Sequence, residues 1–101
     1  MDKKRRQSAD VASAVLAPLS HPTRLLIVCL LLERERFAGE LLEQLGSTKG
    51  NISQHLRVLE QQGHIQGRKE ANRVYYRIAD ERLRKLVGTL QNLYCPGLGG
   101  H

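Results

Sequence analysis

Along most of this chain the apolar residues recur at helical spacing, and in one region the pattern gives way to two short extended runs. Val11, Ala12, Val15 and Leu16 mark a first helix, capped by Ser8 and ending near Pro18. Ser20 is the expected N-cap of a second helix over Pro22–Glu33, with Pro22 in its first turn. Residues 25–32 of that helix are apolar on nearly every side, so it belongs at the centre of the fold. After a charged turn at 33–36, Leu41, Leu42 and Leu45 share one face of a segment Ala38–Leu45, which Gly46 stops. Ser47 or Thr48 then starts a further helix, with Ile52, Leu56 and Leu59 on one face and Lys49, Ser53, Gln54 and Arg57 on others. Gln62-Gly63 ends it. Two runs, 65–69 and Arg73–Ile78, flank Glu70-Ala71-Asn72 and read as a hairpin. Asp80 caps a last helix with Leu83, Leu86, Val87, Leu90 and Leu93 or Tyr94 in a stripe, before Pro96-Gly97 breaks it.

The order helix-helix-helix-helix-strand-strand-helix is mainly α with a small β-hairpin, the outline of a winged helix-turn-helix. A chain of 101 residues makes one such domain, 1–101, with a modest core, so oligomerisation is a natural way to bury more. Lys3, Lys4, Arg5 and Arg6 give a basic arm at 1–7, expected to be disordered in the free protein, and a flexible Gly-rich tail is expected at 96–101. The longest apolar stretch, 25–32, is far short of the roughly 20 residues that span a bilayer. The basic start runs into a polar, interrupted segment rather than a signal peptide, so a cytoplasmic protein without membrane contact is expected.

Charge sharpens this picture. The formal net charge is +6, and residues 47–77 hold six Lys or Arg against two Glu, so four of the six charges sit on the helix-turn-helix and hairpin. A groove-reading helix needs a packed face to fix its angle and short polar side chains near its N-terminus. Residues 48–57 meet both demands. Gly50 allows close backbone approach, Asn51 and Gln54 suit base edges, Ser47, Thr48 and Ser53 suit phosphate or base contacts, and Lys49 and Arg57 supply charge. His55 lies beside the packed face, fit to orient the helix or to touch phosphate. A simply solvated polar face fits the helix equally well. The hairpin shifts the balance towards DNA, because Arg68, Lys69, Arg73 and Arg77 stand there beside Tyr75 and Tyr76. An enzyme is not expected, since there is no Gly-rich phosphate loop, no Ser/His/Asp order and no metal-ligand cluster, and no cofactor is called for.

Five short motifs, in order and at consistent spacing, resemble the ArsR/SmtB-type winged-helix repressors. They are Leu19-Ser20-His21-Pro22-Thr23-Arg24-Leu25, Gly39-Glu40-Leu41, Ser53-Gln54-His55-Leu56-Arg57-Val58-Leu59, Gly63-His64-Ile65 and Val74-Tyr75-Tyr76-Arg77-Ile78. The resemblance covers nearly the whole chain. It implies a homodimer joined through helices one and five, bound to double-stranded operator DNA at an inverted repeat and released by an inducer. His21, in the Ser-His-Pro-Thr-Arg turn, is expected to bond backbone rather than metal.

The metal-sensing members of that family carry ligand sets this sequence lacks. Residues 37–42 hold no Cys or His where a thiolate site on the third helix needs them, and Asp80 is followed by Glu81 and Arg82 where a zinc site on the last helix needs an Asp-x-His. No metal site is expected. Cys29, in the second helix, and Cys95, at the end of the last, are inert fillers or redox and ligand groups by composition alone. Their placement on these two helices resembles the SqrR/BigR/YgaV-type persulfide sensors. That likeness implies that reactive sulfur species act as inducer by linking Cys95 and Cys29 through a polysulfide bridge. A thiophilic metal or a general oxidant at the same thiols, and a protein-interaction module without sensing, are the alternatives.

Overall fold

The protein is described over residues 2–94 in a computed structural model. The first helix, α1 (Lys3–Leu16), begins well before Ser8, because Asp2 caps it. The Asp2 carboxylate accepts from the Arg5 amide at 2.8 Å, and Arg6 pairs with Asp10 one turn on. Residues 3–7 of the expected disordered arm are therefore helical. An acidic cap at the positive end of the helix dipole outweighs the local repulsion among four cations. No residue of α1 is buried, and Val11 is 63% exposed.

A short 3-10 turn, Ala17–Ser20, leads to α2 (Pro22–Glu33). Ser20 is not the cap of α2, since its hydroxyl donates to the Ala17 carbonyl. His21 takes that role, its Nδ1 accepting from the Thr23 amide at 3.2 Å. Pro22 has no N–H, so the first amide open to a cap belongs to Thr23. As its sequence predicts, α2 is central: Ile27, Val28, Cys29 and Leu31 are buried, and each such aliphatic contributes roughly 1.5–3 kcal/mol. Its carbonyl end is held by two guanidinium groups, with Arg36 Nε donating to the Leu30 oxygen and Arg84 Nη1 to that of Leu32.

The charged turn contains a strand that hydropathy did not disclose, β1 (Arg36–Phe37). It precedes α3 (Ala38–Leu45), which ends at Gly46 with φ 64°, the left-handed conformation that favours glycine. The helix α4 (Lys49–Gln61) follows with Thr48 as cap, the Asn51 amide donating to its hydroxyl at 3.2 Å. The hairpin strands β2 (Ile65–Glu70) and β3 (Arg73–Ile78) pair antiparallel with Ile65 opposite Ile78, and β1 joins the free side of β3 to give the order β1-β3-β2. The last helix, α5 (Glu81–Tyr94), starts beside Asp80, whose carboxylate accepts from the Arg82 amide, and it packs against α2 through Leu83 and Val87. Among the described residues no single helix is long and apolar enough to cross a membrane.

The three-dimensional result is a helix-turn-helix, α3 and α4, fixed on two sides. Ile52, Leu56 and Leu59 anchor α4 in the core. His64, just beyond it, is buried with Nε2 2.8 Å from the Val15 carbonyl, which ties the start of the hairpin to α1.

Candidate nucleic-acid interface

The outer face of α4 presents Thr48, Lys49, Gly50, Asn51, Ser53, Gln54 and Arg57, all exposed, with Ser47 half-buried beneath them. Its order is local: Asn51 Nδ2 donates to the Ser47 hydroxyl at 2.7 Å. Lys49, Arg57 and, on the hairpin, Lys69 make no ion pair among the described residues. A Cβ built on Gly50 meets nothing within 4 Å, so that stretch of backbone is open to an approaching partner.

His55 departs from this face. It falls three residues after Ile52 and four before Leu59, so the helical repeat turns it inward, and it is buried. Arg24 Nη1 lies 3.2 Å from His55 Nδ1. A guanidinium can only donate, so Nδ1 is the acceptor and the ring is neutral. Burial holds the imidazole below its ordinary pKa, and the neighbouring His21 and Arg24 push the same way. The His21 ring stands 4.4 Å from that of His55, and Arg24 Nε also donates to the Pro18 carbonyl. His55 thus locks α4 to the start of α2, which fits the helix-orienting one of its two expected roles; buried here, it does not share the outward face with the other residues expected to touch DNA.

Beside α4 the hairpin forms one wall of a groove of about 670 Å³. Leu42, Ile52, Leu56 and Val74 are among its apolar lining, and Lys49, Arg57 and Arg73 among its charged lining. The hairpin cations are not equivalent to those of α4. Arg73 stacks over the Phe37 ring at 4.2 Å, Arg77 donates to the Gln66 side chain at 2.8 Å, and Arg68 lies 5.0 Å over the Tyr75 ring while pairing with both Glu35 and Glu70. Glu35 and Phe37 were not singled out by the sequence, because their partners are more than 30 positions away.

Of the two cysteines, Cys29 is buried in the middle of α2. Cys95 lies outside the described residues. Among the described residues, no group of three or more His, Cys, Asp or Glu is placed to hold a metal ion.

Comparison with known proteins agrees with this geometry. Residues 21–66 match the family model described as "Bacterial regulatory protein, arsR family". The chain is 40% identical to the "HTH-type transcriptional regulator YgaV" of Escherichia coli (strain K12), over 88% of this chain and 91% of that protein. It is 35% identical to the "Biofilm growth-associated repressor" of Xylella fastidiosa (strain Temecula1), over 94% of this chain and 80% of the other. Its fold superposes with a TM-score of 0.82 on the homodimeric winged helix-turn-helix DNA-binding domain Mb0332 of Mycobacterium bovis, at 28% identity, covering 100% of this chain and 94% of that one.

Proposed function

The chain belongs to the arsR family of bacterial regulatory proteins, a winged helix-turn-helix transcriptional regulator, and from that premise we propose that it is a homodimeric, cytoplasmic repressor of operator DNA. The observation that carries the reading is the outward face of α4, where polar and cationic side chains stand beside a basic hairpin. In this reading Asn51 and Gln54 address base edges. Ser47, Thr48, Ser53, Lys49 and Arg57 hold phosphates and sugars around Gly50, with Lys69, Arg73 and Tyr75 following the flanking backbone. Dimerisation through α1 and α5 accounts for a first helix with no buried residue, for exposed Leu93, and for an apolar hollow formed by Val15, Leu16, Leu83 and Leu86. The two-fold axis then places one α4 in each half of an inverted repeat.

The inducer in this proposal is a persulfide acting on Cys29 and Cys95. Each thiolate takes the outer sulfur of one persulfide molecule and releases the corresponding thiol. The terminal sulfur of one protein persulfide then attacks the inner sulfur of the other, leaving a trisulfide bridge and expelling hydrogen sulfide. Two protein thiols and two persulfides thereby give one bridge, two small thiols and one hydrogen sulfide. Cys29 sits on the helix against which α5 packs, so the bridge would pull the end of α5 towards α2 and alter the dimer face.

Anisotropy titrations of a duplex selected from a random pool test both halves. Wild type is expected to bind with steep salt dependence and to release DNA after glutathione persulfide. Cys29→Ser and Cys95→Ser are expected to stay bound. Salt-independent or absent binding overturns the DNA reading. Mass spectra of the treated protein showing a plain disulfide or a bound metal, rather than one added sulfur in a bridge, overturn the persulfide reading.

A further inference from the structure

The hairpin cation Arg68 is already occupied within the protein. It sits on β2 opposite Tyr75 of β3, which in turn faces Phe37 of β1. The guanidinium crosses the Tyr75 ring and ends on Glu35, two residues before Phe37 and thus at the far edge of the sheet. Both ends of the fork are used: Nη2 pairs with Glu35 and Nη1 with Glu70, while Nε is 3.4 Å from the second Glu35 oxygen. Glu35 is itself held in place, because it lies between Arg34, which pairs with Glu40 on α3, and Arg36, which is buried against Glu33 and the Leu30 carbonyl. Such a carboxylate cannot easily follow the hairpin if Arg68 turns to another anion. Lys49 and Arg57, by contrast, have no acid partner to leave among the described residues.

We propose that Glu35 limits the affinity of this protein for DNA by holding Arg68 in an internal ion cluster, so that a phosphate must displace a carboxylate before Arg68 can contribute. This rests on the DNA-binding reading above. An Arg–phosphate contact is favourable in isolation, but here it is an exchange of one oxyanion for another and nearly cancels. The net positive charge of the reading surface is smaller in effect than its count of cations.

The test is Glu35→Gln, which keeps the shape of the side chain and removes its charge. Exposed ion pairs are worth at most about fivefold in affinity, so duplex binding is expected to tighten by up to about fivefold for each hairpin that touches DNA. The log–log salt slope is expected to steepen by about 0.9 per hairpin, the signature of one more neutralised phosphate. Glu43→Gln, on the exposed side of α3, removes the same charge away from the hairpin and is expected to leave both quantities near wild type. Adding Arg68→Gln to Glu35→Gln is expected to cancel the gain. The proposal is overturned if Glu35→Gln binds no tighter than wild type, or if Glu43→Gln tightens binding equally. A DNA-free readout separates this from the parent reading: hydrogen exchange at Arg68 Nε is expected to be slow in wild type and fast in Glu35→Gln. Slow exchange in a wild type that binds no DNA removes the DNA reading, whereas salt-dependent binding with fast wild-type exchange removes only the clamp.

Discussion

The helix α4 carries two Lys or Arg and the hairpin beside it four, and apart from Lys69 the two elements treat them in opposite ways. On α4 the exposed Lys49 and Arg57 have no charge partner among the described residues, Ser53 and Gln54 are exposed beside them, and a Cβ at Gly50 meets nothing within 4 Å. On the hairpin, Arg68, Arg73 and Arg77 are stacked or bonded to Tyr75, Phe37 and Gln66, and two carboxylates close on Arg68. A group without a partner inside the molecule gains most from a ligand outside it, whereas a paired group gains only the difference between two partners. The basic residues of a surface cannot therefore be weighed by count. In the proposed reading the helix is the surface that addresses the bases, and the hairpin is a preorganised wall beside it.

The largest expected effects break the comparison if they fall on the wrong side. Gln54→Ala should lose about 1–3 kcal/mol of discrimination per half-site, seen as a tenfold or greater loss of affinity for the selected duplex with little loss for unrelated DNA. Arg57→Ala should weaken both duplexes alike and reduce the salt slope by about 1 per half-site. Arg68→Ala should do far less than Arg57→Ala, because Arg68 is already engaged by Glu35 and Glu70 and has little net attraction left for phosphate. Equal losses at the two arginines would erase the distinction between helix and hairpin.

A second measurement sharpens the view of what holds α4 at its angle. The His55 imidazole lies below its ordinary pKa, first through burial and then through His21 and Arg24. In the unfolded chain it takes a proton near pH 6.5. As pH falls below that value the unfolded state binds the proton first, so stability is lost on acidification until the folded-state pKa is reached, at a slope of up to about 1.4 kcal/mol per pH unit. The Glu40 and Asp80 carboxylates, also lowered by their arginine partners, act in a more acidic window, below the ordinary carboxylate range. Urea unfolding of wild type and His55→Gln between pH 7 and 5 checks this. Gln can still accept from Arg24 but does not titrate, so its slope in this window should be the shallower; identical slopes would assign the acid sensitivity elsewhere.

How much of this was legible in the sequence follows the same division. The helices around Leu25, Leu41, Ile52 and Leu83 announce themselves because a buried stripe repeats over several turns, and the hairpin does so through its two runs and a turn. β1 is too short to show any period. The caps at Asp2 and His21 depend on which amides lack a partner, and the basic run at 3–6 and the serine at 20 carry the opposite local signals. The spacing from Ile52 and Leu59 put His55 beside the packed face, but its partner Arg24 lies 31 positions away, so only the fold separates its orienting role from a phosphate contact. The Glu35–Arg68 pair joins positions brought together only by the three-stranded sheet, so no local pattern encodes it. Local spacing specified the scaffold; which surface groups remain available needed the fold.

Gly50→Ala separates binding from folding by opposite signs. A methyl group there meets no protein atom, and alanine is the better helix former, so thermal stability should rise by at most about 1 kcal/mol. If DNA packs against this backbone, affinity should fall in the same variant. A variant that is more stable and binds unchanged would move the contact away from the first turn of α4.

The smallest effect is expected at the hairpin tip, where Ala71 has φ 57°, the only non-glycine residue described in the left-handed region. Its Cβ opposes that conformation by roughly 1–2 kcal/mol, and glycine removes the penalty while giving the unfolded chain about 0.5–1 kcal/mol more freedom. Ala71→Gly should thus stabilise the fold by about 0.5 kcal/mol, measurable as a small upward shift in the urea midpoint at constant slope. Its value lies in what it does to binding. If the hairpin is a preorganised wall held by Glu35, Phe37 and Tyr75 along its base, relieving strain at the tip leaves DNA affinity where it was. If affinity changes by more than the stability does, the tip itself touches DNA, and the hairpin must be counted with α4 as a reading element.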